Sequence, residues 1–186
     1  AQYSHSSMKN VGPVRKEMGE RTIFNILGPL TNPANASIQL LGVYNNDLVE
    51  KLAEVLKNLG VKRGMAVCGN DGLDEITLTG PTHCCEIRDG GLTSFDITPE
   101  QFGFETCDLK ELIGGTPQEN AQITRDILSG KETGAKRNVI LMNAGIAIYL
   151  GKEGITMEEG VAIAKEMIDS GKALEKLEEF VKETNV

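Results

Sequence analysis

Residues 38–68, with the sequence IQLLGVYNNDLVEKLAEVLKNLGVKRGMAVC, contain the clearest structural signal in the chain. Residues 38–43 form the apolar run of a buried strand, and residues 65–68 form a second one. Between them, apolar residues recur with helical spacing up to Gly60, and Asn46 can cap that helix. Strand, helix and strand at this spacing predict a βαβ unit, in which the two strands are parallel.

A hairpin is predicted next along the chain. Residues 83–87 and 93–97 are strand-like and flank Asp89-Gly90-Gly91, a typical hairpin turn. Three capping boxes, which begin at Thr98, Thr116 and Thr156, each predict the start of a helix. The sheet is therefore expected to have an antiparallel part, followed by helices.

Two later segments are less uniform. Residues 139–150 begin like a buried strand, but the spacing of Met142, Ile146 and Leu150 fits a buried helix better. The last stretch has a helical pattern that is expected to break at Ser170-Gly171.

The residues before the βαβ unit predict two short helices. Residues 8–18 have helical spacing, which ends at Gly19 and is disturbed by Pro13, and residues 22–27 are expected to form a helix that stops at Gly28-Pro29. The turn residues 31–35 then mark a boundary. We therefore expect an α/β fold with a mixed, mainly parallel sheet flanked by helices, preceded by two helices of a separate helical part.

Composition excludes several classes of protein. Forty per cent of the 186 residues are hydrophobic and 25% are charged, which is typical of one soluble domain. The net charge of −8 argues against nucleic-acid binding, and no apolar run is long enough to cross a membrane. The four cysteines include no Cys-x-x-Cys pair, so a zinc site is not expected. We expect the cysteines to be reduced cytosolic thiols instead. The adjacent Cys84 and Cys85 should face opposite sides of a strand.

The strongest local chemical signal is the segment Gly69-Asn70-Asp71-Gly72-Leu73-Asp74-Glu75, directly after the second predicted strand. Ligands of open α/β sheets bind outside the carboxyl ends of the strands. The adjacent carboxylates of Asp74 and Glu75 suit Mg²⁺, which binds through one or two carboxylates together with substrate phosphates. A solvated acidic loop without a ligand is the alternative reading of the same residues.

A second candidate group is Arg15 with His5 and the Gly28-Pro29 turn. An arginine beside a glycine turn can hold a carboxylate through two parallel hydrogen bonds. On the residues alone, a surface ion pair of Arg15 with Glu17 or Glu20 is the favoured explanation. Residues 170–173 (SGKA) have no preceding glycine-rich loop and no hydroxyl residue after the lysine, so they are not a nucleotide P-loop.

Several blocks of the sequence resemble anthranilate phosphoribosyltransferases, in that family's order and over essentially the whole chain. The blocks are HSSMKNVGPVRKEMGERTIFNILGPLTNPA at 5–34, QLLGVY at 39–44, DGLDE at 71–75, Gly114-Gly115 with Asn120-Ala121, Asn143-Ala144, and SGKA at 170–173.

The resemblance implies a small helical domain, to which residues 1–33 belong, and a large α/β domain, to which residues 34–186 belong, both incomplete here. It implies transfer of the phosphoribosyl group from phosphoribosyl pyrophosphate to the amine of anthranilate, in the tryptophan biosynthesis of the cytoplasm, by a homodimer. Arg15 then holds the anthranilate carboxylate, and His5, Met8, Gly28 and Pro29 line the path of the aromatic substrate. Asp74 and Glu75 bind the Mg²⁺ that accompanies the pyrophosphate.

The chain departs from the family pattern in one respect. The glycine-rich Gly-Thr-Gly-Gly-Asp loop and the Lys-His-Gly-Asn segment of the family precede its first block and are absent here. We therefore expect the C-terminal, larger part of such an enzyme, inactive alone. The alternatives are a pyrimidine nucleoside phosphorylase of the same fold and a non-catalytic relative that binds nucleic acid.

Overall fold

The computed structural model describes residues 10, 12, 14, 17–20, 22 and 24–184. The strands are β1 (Ile38–Gly42), β2 (Arg63–Gly69), β3 (Thr82–Arg88) and β4 (Gly91–Ile97). The helices are α1 (Phe24–Leu30), α2 (Val49–Asn58), α3 (Leu109–Leu112), α4 (Pro117–Leu128), α5 (Ala135–Gly151), α6 (Met157–Asp169) and α7 (Lys172–Thr184). Short 3-10 turns at Asn46–Leu48 and Pro99–Phe102 complete the described elements.

The sheet has four strands in the order β1-β2-β3-β4. Strands β1 and β2 are parallel and connected through α2, which confirms the predicted βαβ unit. The other two pairs are antiparallel, so the α/β fold with a mixed sheet is confirmed, but the described sheet is not mainly parallel. The reason is that the loop 70–81 contains no crossover helix, so the chain returns beside β2 in the opposite direction.

The predicted hairpin is confirmed, and its turn has the expected chemistry. Asp89 and Gly90 have φ angles of 51° and 76°, the left-handed pair that a two-residue type I′ turn requires. Asp89 tolerates this conformation better than most residues, and Gly90 has no Cβ to clash. This turn connects β3 directly to β4.

The two faces of the sheet carry separate halves of the core. Ala66 and Cys68 of β2 pack on the side of α2, while Met65 and Val67 pack on the side of α5. The cysteines follow the same alternation, because Cys85 lies in the first cluster and Cys84 in the second, as predicted. A third cluster joins α4, α5 and α6 on the far side of α5, through Ile127, Leu141, Val161, Ala164 and Ile168.

The described segments that were predicted to be helical are helical in the structure. Residues 139–150 lie in helix α5, and all three capping boxes are present. Helix α6 ends at Asp169 and α7 begins at Lys172, with Gly171 between them at φ 79°. The described residues between 10 and 18 are helical, and Gly19 follows at φ 64°.

Two boundaries differ from the sequence prediction. Asn45 caps the turn before α2, not Asn46, because the helix starts with a 3-10 turn and the Asn45 side chain accepts from the Asp47 N–H at 2.8 Å. Helix α1 does not stop at Gly28-Pro29 but continues to Leu30. The fixed φ of a proline fits a helix, and Pro29 removes only one hydrogen bond near the end of α1.

None of the helices in the described part of the chain combines the length and the apolarity that a membrane crossing needs.

Candidate functional site

The candidate site is built on the loop 70–81, which joins the end of β2 to the start of β3. Its two ends are tied together, because the Asn70 N–H donates to the Pro81 carbonyl at 2.9 Å. The Gly69 N–H also donates to the Leu73 carbonyl at 2.9 Å, which folds the first residues back onto β2. The loop therefore stays at the carboxyl edge of the parallel pair, where α/β sheets bind ligands.

The Asp71 side chain forms hydrogen bonds that connect different parts of this loop. One of its oxygens accepts from the Thr77 and Thr79 hydroxyls, both at 2.6 Å, and the other accepts from the Leu73 N–H at 3.0 Å. Burial would raise the pKa of the Asp71 carboxyl, but these hydrogen bonds outweigh it and the pKa is lowered. Asp71 is therefore an ionised internal brace of the loop.

Close contacts with glycines fix the position of the loop on the sheet. A Cβ added to Gly42, at the end of β1, would lie 1.6 Å from the carbonyl oxygen of Asp74. A Cβ added to Gly69 would lie 2.5 Å from an Asp71 carboxylate oxygen and 3.1 Å from the Thr77 side chain. Only glycine permits these approaches, so the sequence at the ends of β1 and β2 determines where the loop sits.

Asp74 and Glu75 are exposed, and neither forms a salt bridge with a described residue. Partial burial of the carboxyl group on its side facing the protein, and then the charge of the neighbouring Asp74, raise the pKa of Glu75. The Cys68 thiol, behind the loop, has its pKa raised by burial and then by the charges of Asp71 and Asp74. The loop thus carries negative charge that no salt bridge balances within the described part of the chain.

These carboxylates fit a Mg²⁺ ion that takes most of its ligands from elsewhere. The described residues contain no group of three or more His, Cys, Asp or Glu side chains arranged for a metal. Magnesium usually keeps several waters and is bound through one or two carboxylates plus substrate phosphates, so the pair Asp74 and Glu75 has the right chemistry for such a shared site.

The second predicted group is only partly covered by the structure. His5, Met8 and Arg15 lie outside the described residues. Gly28 and Pro29 are exposed in helix α1, and the Gln39 side chain of β1 donates to the Pro29 carbonyl at 3.3 Å. The end of α1 is therefore attached to the strand whose other end carries Gly42.

Sequence reasoning missed a contact from helix α5 to the loop. The Asn143 side chain donates to the Ile76 carbonyl at 2.8 Å and accepts from the Ile76 N–H at 3.1 Å. The available signal was one amide within the apolar stretch 139–150, since a polar side chain among core residues is retained when it has hydrogen-bond partners.

A second missed cluster ties helix α2 to the hairpin. His83 of β3 contacts Asp96 through Nδ1 at 2.6 Å and Glu50 through Nε2 at 2.7 Å. The Ser94 hydroxyl donates to the same Glu50 oxygen at 2.9 Å. Hydrogen bonds with Asp96 and then Glu50 raise the pKa of His83, and the bond with His83 lowers the pKa of Glu50. The partners come from three separate elements, so sequence spacing gives no sign of this cluster.

At the start of α4, Asn120 makes a two-point contact with the backbone like that of Asn143. The Asn120 side chain accepts from the Gly115 N–H at 2.8 Å and donates to the Gly115 carbonyl at 3.1 Å. A Cβ at Gly114 would lie 2.3 Å from the Asn120 oxygen, so this approach also requires glycine.

Comparison with known proteins agrees with this architecture. A family model described as "Glycosyl transferase family, a/b domain" matches residues 1–174. The anthranilate phosphoribosyltransferase of Endomicrobium trichonymphae is 58% identical over 182 residues, which are 98% of this chain and 54% of that protein. That of Methanobrevibacter smithii is 52% identical over 185 residues, which are 100% of this chain and 55% of that protein.

Solved structures give the same result. The anthranilate phosphoribosyltransferase of Thermus thermophilus has a TM-score of 0.87 at 40% identity, covering 96% of this chain and 52% of that one. The Saccharomyces cerevisiae anthranilate phosphoribosyltransferase in complex with PRPP and Mg has a TM-score of 0.87 at 34% identity, covering 96% of this chain and 51% of that one.

The fold is thus that of a group-transferring α/β domain. The chain belongs to the Glycosyl transferase family, a/b domain. Within that family, the curated proteins and solved structures that it resembles are anthranilate phosphoribosyltransferases, which confirms the resemblance seen in the sequence. The chain spans about half the length of these relatives.

Proposed function

We propose that this chain takes part in the transfer of the phosphoribosyl group from phosphoribosyl pyrophosphate to the amine of anthranilate, which gives N-(5-phosphoribosyl)anthranilate and pyrophosphate. The observation that carries the proposal is the Asp74–Glu75 pair, which has no balancing cation among the described residues and lies at the carboxyl edge of β1 and β2. Relatives at 58% and 52% identity that are anthranilate phosphoribosyltransferases support it.

In this proposal, Asp74 and Glu75 hold Mg²⁺ together with the phosphate oxygens of the substrate. When bound, Mg²⁺ stabilises the negative charge that accumulates on the departing pyrophosphate. The loop keeps both carboxylates in place before the substrate arrives, because Asp71 braces it from inside and Gly42 contacts it from β1.

We assign the anthranilate carboxylate to Arg15, whose guanidinium can make two parallel hydrogen bonds to it. His5, Met8, Gly28 and Pro29 line the path of the aromatic ring. The anthranilate amine is already a nucleophile, so these residues act by positioning it against the ribose rather than by covalent catalysis.

The same proposal covers the context of the chain. Residues 1–33 belong to a small helical domain and residues 34–186 to a large α/β domain of a cytoplasmic homodimer that acts in tryptophan biosynthesis. The relatives favour anthranilate as the acceptor over the pyrimidine nucleosides of a phosphorylase, and the net charge of −8 disfavours a nucleic-acid partner.

The decisive experiment uses a hybrid protein, in which this chain replaces the matching 54% of the Endomicrobium trichonymphae relative. Phosphoribosylanthranilate formation is followed by fluorescence, with uridine and thymidine as competing acceptors. We expect turnover with anthranilate, and the double substitution Asp74→Asn/Glu75→Gln should weaken Mg²⁺ binding by more than about 100-fold, beyond the usual effect of outer-shell changes.

The matched control is Glu178→Gln/Glu179→Gln, which removes two adjacent exposed carboxylates from helix α7. It should leave Mg²⁺ binding and turnover unchanged. An Asp74→Asn/Glu75→Gln hybrid with a normal Mg²⁺ titration would refute the metal assignment, and a hybrid that accepts uridine but not anthranilate would refute the proposed substrate.

Arg15 is tested in the same hybrid. Losing a charge-assisted, two-point contact costs about 1.5–3 kcal/mol, so Arg15→Ala should lower anthranilate kcat/KM by roughly tenfold to a hundredfold or more. Arg15→Lys should recover only part of the loss, because an ammonium lacks the planar fork. Anthranilate kinetics within about twofold of the unmodified hybrid would place the carboxylate elsewhere, since such a change is below the cost of any charged hydrogen bond.

A further inference from the structure

Helix α5 contacts the candidate metal loop through one polar side chain. Asn143 uses both ends of its amide on a single residue: Nδ2 donates to the Ile76 carbonyl at 2.8 Å, and Oδ1 accepts from the Ile76 N–H at 3.1 Å. Nδ2 also donates to the Val139 carbonyl within α5, at 3.0 Å. Ile76 directly follows Glu75, so this contact fixes the backbone next to the two carboxylates.

The contact is built into the core of the protein. The Ile76 side chain is fully buried, and Met142 and Ile146, the neighbours of Asn143 on α5, are fully buried as well. Buried backbone N–H and C=O groups need partners, and the loop at Ile76 has no adjacent strand or helix of its own to supply them. Asn143 satisfies both groups, which explains why an amide is present within the apolar stretch 139–150 of this helix.

We propose that Asn143 is a positioning residue, which holds Asp74 and Glu75 in the geometry that Mg²⁺ binding requires. The inference rests on the proposed function of these two carboxylates. Asn143 does not touch the metal or the substrate in this role and acts only through the backbone of Ile76.

The geometry on both sides of the carboxylate pair supports this role. On one side, the backbone of Asp74 lies against Gly42 of β1, where an added Cβ would come within 1.6 Å of its carbonyl oxygen. On the other side, Ile76 is attached to α5 through Asn143. Mg²⁺ requires near-ideal octahedral geometry with oxygens at about 2.0–2.1 Å, so a carboxylate pair held at both ends binds it better than a loose one.

The test measures Mg²⁺ binding directly, by calorimetric titration of the hybrid protein in the presence of phosphoribosyl pyrophosphate and without anthranilate. Asn143→Leu keeps the size of the side chain and removes both hydrogen bonds to Ile76. We expect Mg²⁺ affinity to fall by roughly tenfold or more, the usual effect of removing a group that orients a ligand. Asn143→Ala is measured in parallel, so that a clash of the leucine cannot account for the result.

The matched control is Asn120→Leu in helix α4. Asn120 makes the same two-point contact with the peptide groups of Gly115, at 2.8 and 3.1 Å, in the helical layer on the far side of α5. Its substitution should lower thermal stability less than Asn143→Leu, because the Asn120 contact is exposed, and should leave Mg²⁺ affinity unchanged. Equal Mg²⁺ affinity in the Asn143 variants and the unmodified hybrid would overturn the positioning role.

A double-mutant cycle separates this inference from the proposed function. If Asn143 acts through the carboxylates, Asn143→Leu should cause no additional loss of Mg²⁺ binding in the Asp74→Asn/Glu75→Gln background. A full additional loss there would show that Asn143 acts on something else, and would overturn the inference alone. Unchanged Mg²⁺ binding in Asp74→Asn/Glu75→Gln itself would overturn the metal assignment instead.

Discussion

Replacing Gly42 with alanine tests whether strand β1 fixes the metal loop. The new Cβ would lie 1.6 Å from the Asp74 carbonyl oxygen and 2.4 Å from its carbonyl carbon. Both are backbone atoms, which cannot rotate away like the end of a flexible side chain. To reach even the 3.0 Å below which real Cβ contacts essentially never occur, the loop or the strand must move by about 1.4 Å.

The expected effect follows from this displacement. Forcing an extra methyl group into a packed contact costs about 1–3 kcal/mol of unfolding free energy. Glycine-to-alanine changes also stabilise by about 0.4–1 kcal/mol through the unfolded chain, so the net loss of stability is smaller than the clash alone. A misplacement of about 1 Å can lower activity roughly 100-fold, so Mg²⁺ binding and turnover should suffer more than stability does.

The matched control is Gly80→Ala in the same loop, where an added Cβ meets nothing within 4 Å and the φ angle is ordinary. Both variants share the effect on the unfolded chain, so their difference isolates the clash. Urea unfolding of the chain gives the stability difference, and Mg²⁺ titration of the hybrid gives the effect on the site. If Gly42→Ala and Gly80→Ala match within about 0.5 kcal/mol and bind Mg²⁺ equally well, β1 does not fix the loop, because core clashes cost more than this.

Two further predictions concern the rest of the fold. Because the pKa of His83 is raised in the folded state, its contribution to stability is complete below its ordinary pKa of 6.5 and is lost as the pH rises through the folded-state pKa. Because the pKa of Glu50 is lowered, its contribution to stability is complete above its ordinary pKa of 4.5 and is lost as the pH falls through the folded-state pKa. The difference in unfolding free energy between the native chain and His83→Gln should therefore be largest between pH 4.5 and 6.5 and shrink above that range, and a difference that does not vary with pH would contradict this. Where α5 crosses α6, a Cβ on Gly145 would lie 2.6 Å from the Cα of Val161, so Gly145→Ala should lower the urea midpoint of unfolding. The control Gly151→Ala should leave the midpoint unchanged, because an added Cβ there meets nothing within 4 Å. Equal urea midpoints for the two variants would refute the close packing of the helices.

Local sequence patterns predicted most of the helices and strands. They did not predict the direction of β3 or the end of α1. The βαβ unit, the hairpin and the capping boxes each have a signal within a few residues, and all were confirmed. The direction of β3 had no such signal, because it depends on the absence of a helix from the loop 70–81. The end of α1 was also misplaced, because Pro29 near a helix end is tolerated where a proline in the middle would not be.

The candidate carboxylates could be singled out from the sequence, but the contacts that hold their loop could not. Adjacent carboxylates after a buried strand indicated Asp74 and Glu75 directly. Gly42 and Asn143, which hold the loop, lie far from it in sequence, and nothing in their own surroundings indicates the partner that they touch. These contacts form only when the sheet and α5 come together, so the spacing of residues cannot reveal them.

The antiparallel return of β3 explains why the carboxylates are held at this edge of the sheet. A parallel neighbour would need a crossover of a dozen or more residues, usually a helix, and would carry the chain to the opposite end of the sheet. Here the loop 70–81 returns to the same edge without a helix, and the Asn70 N–H donates to the Pro81 carbonyl, which closes the loop at its base. Both carboxylates therefore stay beside the ends of β1 and β2, where Gly42 contacts the Asp74 carbonyl and Asn143 contacts the peptide groups of Ile76. The change from parallel to antiparallel pairing at β2 thus keeps the loop 70–81, from its first residue to its last, at this edge of the sheet.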